Sequence, residues 1–361
     1  MISNQKQNPI AALFRHQIVI PIAALLLLTI FNVLRDSSFF EVTMKNNSAG
    51  NPVLAGNLIS VLDNGSELAI LAIGMTLVTA ACGGQDISVG ATAVIAGSVV
   101  MRILSGGEAS ADVVHAPIFL AFLVCCLAAM ACGAFNGMMV SVFRIQPMVA
   151  TLIMFTAGRS IAGWINENKS IAITDPNFAI AGTFIPGIPV PTPVFIALFC
   201  FIITWAILKF TNLGLYVQAV GINEKTSRLN GLNPTLIKFA TFVLLGLCVA
   251  VVGFIKVSRN GTINYSVVAK DIEMDAILAV ALGGNALSGG KFNMPASILG
   301  AYVIQYLTTT LYAMDVKATA LPAYKAVVVI VLVVLSAPKV REALSSVFKK
   351  MSPAKQSGGA A

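Results

Sequence analysis

An all-α polytopic membrane protein follows from three features of the sequence. The 361 residues are 57% hydrophobic and only 11% charged, with a mean hydropathy of +0.87, against about 25% charged residues in an average soluble domain. About ten apolar runs recur along the chain, several reaching the roughly 18 to 20 residues that cross ~30 Å of hydrocarbon at ~1.5 Å per residue. The runs are continuous and do not alternate, which excludes an outer-membrane barrel and leaves transmembrane helices that satisfy their own backbone in lipid.

The first run, 18–34, follows Lys6 and Arg15 as a signal peptide would. It ends in Asn32, Val33, Leu34 and Arg35 with no small-x-small cleavage site, so it reads as an uncleaved first span. Further spans are expected at 66–82, 87–104, 117–143, 148–165, 193–210, 237–258, 273–284, 294–314 and 323–338. The chain then forms one transmembrane domain, 1–361, with cytoplasmic segments at 1–16, 211–236 and 339–361.

Orientation follows from the basic residues. With a cytoplasmic N-terminus, the inner segments collect Lys6, Arg15, Arg144, Lys209, Lys225, Arg228, Lys238, Lys291, Lys339, Arg341, Lys349, Lys350 and Lys355, and both termini lie inside. The same segments carry only Asp86, Glu224 and Glu342 of the 15 acidic residues. The net charge of +8 therefore speaks of topology in a bacterial inner membrane, with lipid and not nucleic acid as the surroundings. The 6 cysteines lie in or at the ends of apolar runs, with no CxxC pair and only His16 and His115 to join them, so packing is favoured over disulfides or a metal.

Two polar loops exceed simple connections. Segment 166–191 holds Pro176, Pro186, Pro189 and Pro191 and suits an ordered external loop or cap; segment 211–236 lies inside.

The chain also echoes itself. Gly83, Gly84, Ser88 and Gly90 recur as Gly283, Gly284, Ser288 and Gly290 at a constant offset, with Gln85 and Asp86 answered by Asn285 and Ala286, and Gly289 beside Gly290. Both stretches end one apolar run and begin another. Paired glycine-rich interruptions are the mark of broken helices whose freed ends line a solute path near the midplane, although two plain turns between spans would look the same. Asp86 in the first break either lines such a path or caps the next helix with help from Ser88. Arg159 falls inside a span and must face the bundle interior, a water-filled cavity or a carbonyl-rich helix end. Gly133 and Gly137 form a small-xxx-small pair for close packing, and Asn136 between them is either interhelical glue or a path-lining group.

Enzymatic signals fail. A phosphate loop at 284–291 would need Gly at 285, which is Asn, and Ser or Thr at 292, which is Phe; no GxSxG or HExxH occurs. Acidic Asp271, Glu273 and Asp275 gather where a helix starts, which suits its dipole. No catalytic residue, cofactor or metal is expected.

Four stretches, 71–91 (LAIGMTLVTAACGGQDISVGA), 145–162 (IQPMVATLIMFTAGRSIA), 219–233 (AVGINEKTSRLNGLN) and 275–293 (DAILAVALGGNALSGGKFN), together resemble the permease subunits of bacterial carbohydrate ABC importers of the ribose, xylose and galactose type. The similarity runs in order from 58 to 338, and the QPMVATLIMFTAGR, PTPV and KAVVV stretches look most like the galactofuranose importer permease. The resemblance implies a non-enzymatic pore subunit passing a monosaccharide inward. Its partners would be cytosolic ABC ATPase subunits that bind the ATP, an extracytoplasmic sugar-binding protein, and a second permease chain forming a homodimer or heterodimer.

The resemblance also implies that Glu224, Lys225, Thr226, Arg228, Leu229 and Gly231 form the coupling helix that docks on the ATPase; a solvated loop helix is the plainer reading. Gln85, Asp86, Ser88, Asn136, Arg159, Asn285 and Ser288 are the expected path residues, offering a neutral sugar transient hydrogen bonds. Gln85 stands where an aliphatic residue is usual in the family, and Phe292 where a small one is common. The alternatives are a branched-chain amino-acid ABC permease and an ion-coupled secondary transporter.

Overall fold

The computed structural model describes residues 18–46 and 50–336. The expected cytoplasmic segments 1–16 and 339–361 lie outside the described residues. Every expected span corresponds to a helix: α1 (Val19–Arg35), α2 (Asn57–Cys82), α3 (Val89–Leu104), α4 (Ile118–Ser141), α5 (Pro147–Ile165), then a one-turn α6 (Pro176–Ala179) in the long loop, and α7 (Thr192–Phe210). The inner loop holds α8 (Leu213–Ile222) and α9 (Glu224–Leu229), followed by α10 (Pro234–Asn260), α11 (Ile272–Leu282), α12 (Met294–Ala313) and α13 (Leu321–Ser336). Five of these, α2, α4, α5, α7 and α10, are long and apolar enough to cross a membrane by length and composition. The others are shorter or less apolar, and the whole is a polytopic membrane helix bundle.

The bundle is built around α2 and α10. Of the most apolar 18-residue window in α2, 94% is buried, against 11% in α7, so α2 is central and α7 turns nearly all of its surface outward. Phe195, Leu198, Phe199, Ile202 and Ile203 of α7 and Phe119, Leu120, Leu123 and Leu127 of α4 are exposed in the bare protein, the apolar outer shell a lipid-solvated bundle requires. Small residues let backbones approach closely in lipid. A Cβ on Gly133 would strike the Phe242 carbonyl oxygen, one on Gly246 would lie 2.6 Å from the Ala129 carbonyl oxygen, and one on Gly137 would press on Phe239 and Phe242. This is how α4 lies flat on α10.

One correction concerns the start of α2, which begins at Asn57 and not near Ser66. The extra turns hold Ser60, Asp63 and Asn64, which depress the hydropathy signal; the helix accommodates them through Ser60 Oγ donating to the Gly56 carbonyl, Asn64 to that of Ser60, and Asp63 pairing with Arg259.

Short strands gather at one end of the bundle. β1 (Thr43–Asn46) and β2 (Pro52–Ala55) pair antiparallel, while β3 (Ser110–Ala111), β4 (Ile171–Ile173) and β5 (Thr262–Ile263) form a three-stranded sheet in that order. Segment 166–191 is ordered here: Phe178 is fully buried, Asp175 caps α6 by accepting from Asn177 N–H, and the Pro189 carbonyl accepts from Leu54. The connections 83–88, 142–146, 211–233 and 283–293 lie at the opposite end.

Candidate functional site: the junction of the two helix breaks

The two echoing segments touch. α2 ends at Gly83, whose left-handed φ of 62° suits a residue without Cβ. A Cβ there would lie 2.6 Å from the Ser288 carbonyl oxygen, and one on Gly289 (φ 91°) would lie 3.0 Å from the Gly83 Cα. Next to this contact the Gly290 N–H donates to the Ala80 carbonyl oxygen at 2.9 Å. Gly84 meets the ring of Pro147 and Gly90 the Glu273 carboxylate. The glycines thus bring backbone against backbone between helices distant in sequence.

Polar side chains tie each break to its surroundings. Asp86 is buried and accepts from Ser88 N–H (2.7 Å) and Ser88 Oγ (2.6 Å), folding 86–88 into a tight local turn. Asn136 Nδ2 donates to Asp86 Oδ2 (3.2 Å) and Ser88 Oγ (2.8 Å) from α4. Asp86 therefore does not cap α3 directly; Ser88 is the residue at that position. In the second break Asn285 Nδ2 donates to the Val280 carbonyl (3.1 Å) and Ser297 Oγ (2.7 Å), while its Oδ1 accepts from Asn293 N–H at 2.6 Å. Thr76 Oγ1 donates to Ser297 Oγ at 2.7 Å, which carries the connection back to α2.

The location is informative. Asn136 lies in the last two turns of α4, Pro147 starts α5, Ser297 is in the first turn of α12, so the junction sits toward the bundle end opposite the strands, displaced from the middle. Gln85, Asp86, Ser88, Asn136 and Asn285 are buried, and of the expected path residues at the junction only Ser288 is exposed. In this conformation the group is closed to solvent, with the buried Asn136 Oδ1 left without a partner.

A Cβ on Gly90 would lie 2.7 Å from the Ala269 carbonyl oxygen, and Gly158 packs on Ala91, so the far side of the first break is met by Arg159. It lies 12 residues beyond Pro147, about 18 Å along α5 at ~1.5 Å per residue. Its Nη1 donates to the carbonyls of Tyr265 (3.0 Å) and Val268 (3.1 Å), and Nη2 to that of Ala269 (3.3 Å). Segment 264–271 is non-helical, with Ala269 and Asp271 at φ 53° and 63°. Arg159 supplies the donors that irregular backbone inside a bundle requires.

The inner loop runs straight onto the junction. A Cβ on Gly221, near the end of α8, would strike the Ala80 carbonyl oxygen and come within 2.7 Å of the Gly290 nitrogen. Two residues later Asn223 caps α9 by accepting from Thr226 N–H at 3.0 Å. Glu224 anchors α9 to α10 through Lys238 Nζ at 2.6 Å and meets Arg228 at 3.4 Å. The hydrogen bond from Lys238 holds the Glu224 carboxyl below the usual carboxylate range. Lys225, Thr226 and Arg228 are exposed, Leu229 is 88% exposed, and Gly231 turns the chain away at φ 82°.

Sequence reasoning missed Thr76, Gly221 and Ser297, which carry no charge and lie in apolar company. It also missed a network at the stranded end: Glu67, 2% exposed, lies 2.7 Å from both Lys256 Nζ and Arg259 Nη1, and Arg259 reaches Asp63 and Asn64 at 2.7 Å and the Gly182 carbonyl at 3.1 Å. The signal was present as acids at 63 and 67, one helical turn apart, just before an apolar run. Among the described residues no cluster of His, Cys, Asp and Glu could hold a metal ion.

Over residues 57–337 the chain matches the family described as the branched-chain amino acid transport system / permease component. The chain belongs to that family. This permease is similar to the fructose import permease protein FruF of Bifidobacterium longum, 34% identical over 91% of this chain and 90% of that protein. It is similar to the galactofuranose transporter permease protein YtfT of Escherichia coli K12, at 33% over 88% and 89%. The ribose import permease protein RbsC of the same strain is 35% identical over 78% of this permease and 86% of its own length. No solved structure matches.

Proposed function

We propose that this permease is half of the pore of an ATP-driven importer that passes a monosaccharide from an extracytoplasmic binding protein to the cytoplasm. Substrate class comes from the relatives, whose names give fructose, galactofuranose and ribose. The observation that carries the coupling is the Gly221 contact: α9, presenting exposed Leu229, is two residues from a backbone packed on Ala80 and Gly290. An ATPase that grips α9 would move α8, and α8 cannot move without disturbing the meeting point of both breaks. The bundle then has the two packed arrangements that alternating access needs.

In this reading the end bearing α8 and α9 is cytoplasmic, which suits Arg144, Lys209, Lys225, Arg228, Lys238 and Lys291 at that end. Lys209 sits over the Trp205 ring, 4.4 Å from its centroid, as a boundary anchor. ATP binds the partner subunits, and no cofactor or metal is needed here. Ten helices cross or enter the membrane, and both termini are inside.

The experiment is purification in mild detergent, with mass spectrometry of what accompanies the permease and of its Glu224→Ala plus Arg228→Ala variant. Recovery of an ABC ATPase that the variant loses supports the reading, and a second permease recovered alongside decides the pairing. Uptake driven by an ion gradient in vesicles without ATP would overturn it. Leucine competing against sugar for uptake would turn it toward an amino-acid permease, as the family description includes.

A further inference from the structure

An open cavity of about 450 Å³ lies toward the stranded end, lined by Arg159, Ser160, Asn168, Tyr265 and Ser266. That volume suits a small-molecule site. Its floor is the non-helical segment 264–271, held by the three bonds from Arg159. Arg159 lies six residues before the last residue of α5, about 9 Å at ~1.5 Å per residue, and the cavity opens to the surface beside it.

Polar groups rim the cavity on a mixed face, where α5 also exposes Ile153, Ile161 and Trp164 and the irregular segment exposes Val267. Thr156, Ala157 and Ser160 of α5 and Ser266, Lys270 and Asp271 of the irregular segment are all exposed. Charged and hydroxyl groups at this depth require water or a polar partner, since hydrocarbon solvates neither. By contrast α7 exposes Phe195, Leu198, Phe199, Ile202 and Ile203, which lipid accepts. The cavity is therefore a polar patch on a mixed face, in contrast to the apolar outer face of α7.

We infer that this cavity is an outer waypoint for the sugar, on the far side of the first helix break, where the Ala269 carbonyl held by Arg159 abuts Gly90. The inference rests on the importer reading above. A guanidinium has five N–H donors; three are committed to carbonyls, which fixes the plane and leaves two for a solute hydroxyl. The hydroxyls of Ser160 and Ser266 and the Asn168 amide both donate and accept, matching hydroxyl groups of either polarity. Tyr265 adds a ring face beside them. No acidic side chain lines the cavity, so a neutral polyol passes without a carboxylate to trap it. The buried junction residues, by contrast, are shut off from solvent, with Asn136 Oδ1 left without a partner, and open only with the conformational change.

The test uses the whole transporter, permease with its ATPase and binding protein, in vesicles, with the native cysteines replaced and ATP-driven uptake of ribose and fructose measured first. Absence of uptake of these two sugars and of galactofuranose would remove the importer reading on which this inference rests. With uptake present, Ser160→Cys and Ser266→Cys are treated with a charged, membrane-impermeant methanethiosulfonate, with Leu198→Cys on α7 as the lipid-facing control. The expected result is reaction an order of magnitude faster than at position 198, slowed by sugar-loaded binding protein, and loss of uptake once the bulky adduct forms. Reaction as slow as at position 198, or complete modification with undiminished uptake, would overturn the waypoint while leaving the importer standing.

Discussion

Gly290 and Ala80 are 210 positions apart, yet the N–H of the first donates to the carbonyl of the second at 2.9 Å, and Gly221 packs on both atoms. Three segments thus share one point with no room for a side chain. Gly221→Ala places a methyl against the Ala80 oxygen and must displace α8 from the breaks. The expected outcome is a permease that still reaches the membrane and retains its ATPase, but whose ATP hydrolysis no longer responds to loaded binding protein. Gly187→Ala in the long 166–191 loop is the contrast: at φ 84° it has nothing within 4 Å, so it costs only the ~1–2 kcal/mol of left-handed strain and should keep coupling. Equal uptake by the two variants would refute the junction's role.

Asp86, Ser88 and Asn136 form one closed hydrogen-bonded group, so their deletions should not add. Asp86→Ala leaves the Ser88 N–H and hydroxyl without their acceptor in a buried site, while the Asn136 amide keeps Ser88 Oγ, a loss of about 1–3 kcal/mol. Ser88→Ala removes one hydroxyl and leaves the Asp86 to Asn136 bond in place, and should cost less. Thermal unfolding in detergent of both singles and the double gives the coupling energy directly. An additive double would mean that the three residues act separately.

Much of this arrangement was legible in the sequence. Continuous apolar runs located every long helix, because spacing and hydropathy report what lipid and a dry core both demand. The glycine echo located both breaks, since Gly83 and Gly289 hold backbone angles that favour glycine. What the chain could not reveal was which polar groups meet. Asp86 reads as free to line a path and is enclosed by Ser88 and Asn136, whereas Arg159 spends its donors on the carbonyls of the irregular segment 264–271, one of which, that of Ala269, abuts Gly90. Hydrogen-bond partners far apart in sequence leave no periodic trace, and a polar residue in an apolar run states only that it needs one.

Glu224 holds α9 against α10, and its charge should matter across the neutral range. Its folded pKa is lowered by the Lys238 hydrogen bond, so the anchoring is present above the ordinary carboxylate pKa and is lost only as pH falls through the lowered value. The side chain is 40% exposed, so solvent screens much of the effect. A spin label at Leu229→Cys should stay equally restrained from neutral pH down to the usual carboxylate range, then loosen below it. Glu224→Gln should be loosened at neutral pH. A label that loosens already in the range of histidine titration would point to another group.

The network of Glu67, Lys256 and Arg259 should hold the long loop to the bundle. Glu67 is almost fully enclosed, and Arg259 also grips the Gly182 carbonyl, next to where Ser258 donates to the Phe178 carbonyl at 2.5 Å and accepts from Gly182 N–H at 2.8 Å. Removing one member of a buried ion pair typically costs about 3–5 kcal/mol, because its partner stays buried and unpaired. Glu67→Ala strands Lys256, while Arg259 keeps Asp63 and Asn64. Its expected effects are a clear drop in unfolding temperature and faster proteolytic cleavage within 176–191. Adding Lys256→Met removes the stranded charge and should restore part of the temperature. Because Arg259 still holds Gly182 in both variants, Arg259→Met should expose the loop more than Glu67→Ala does, and the reverse order would show that the loop is held by packing of Phe178 and not by the ions.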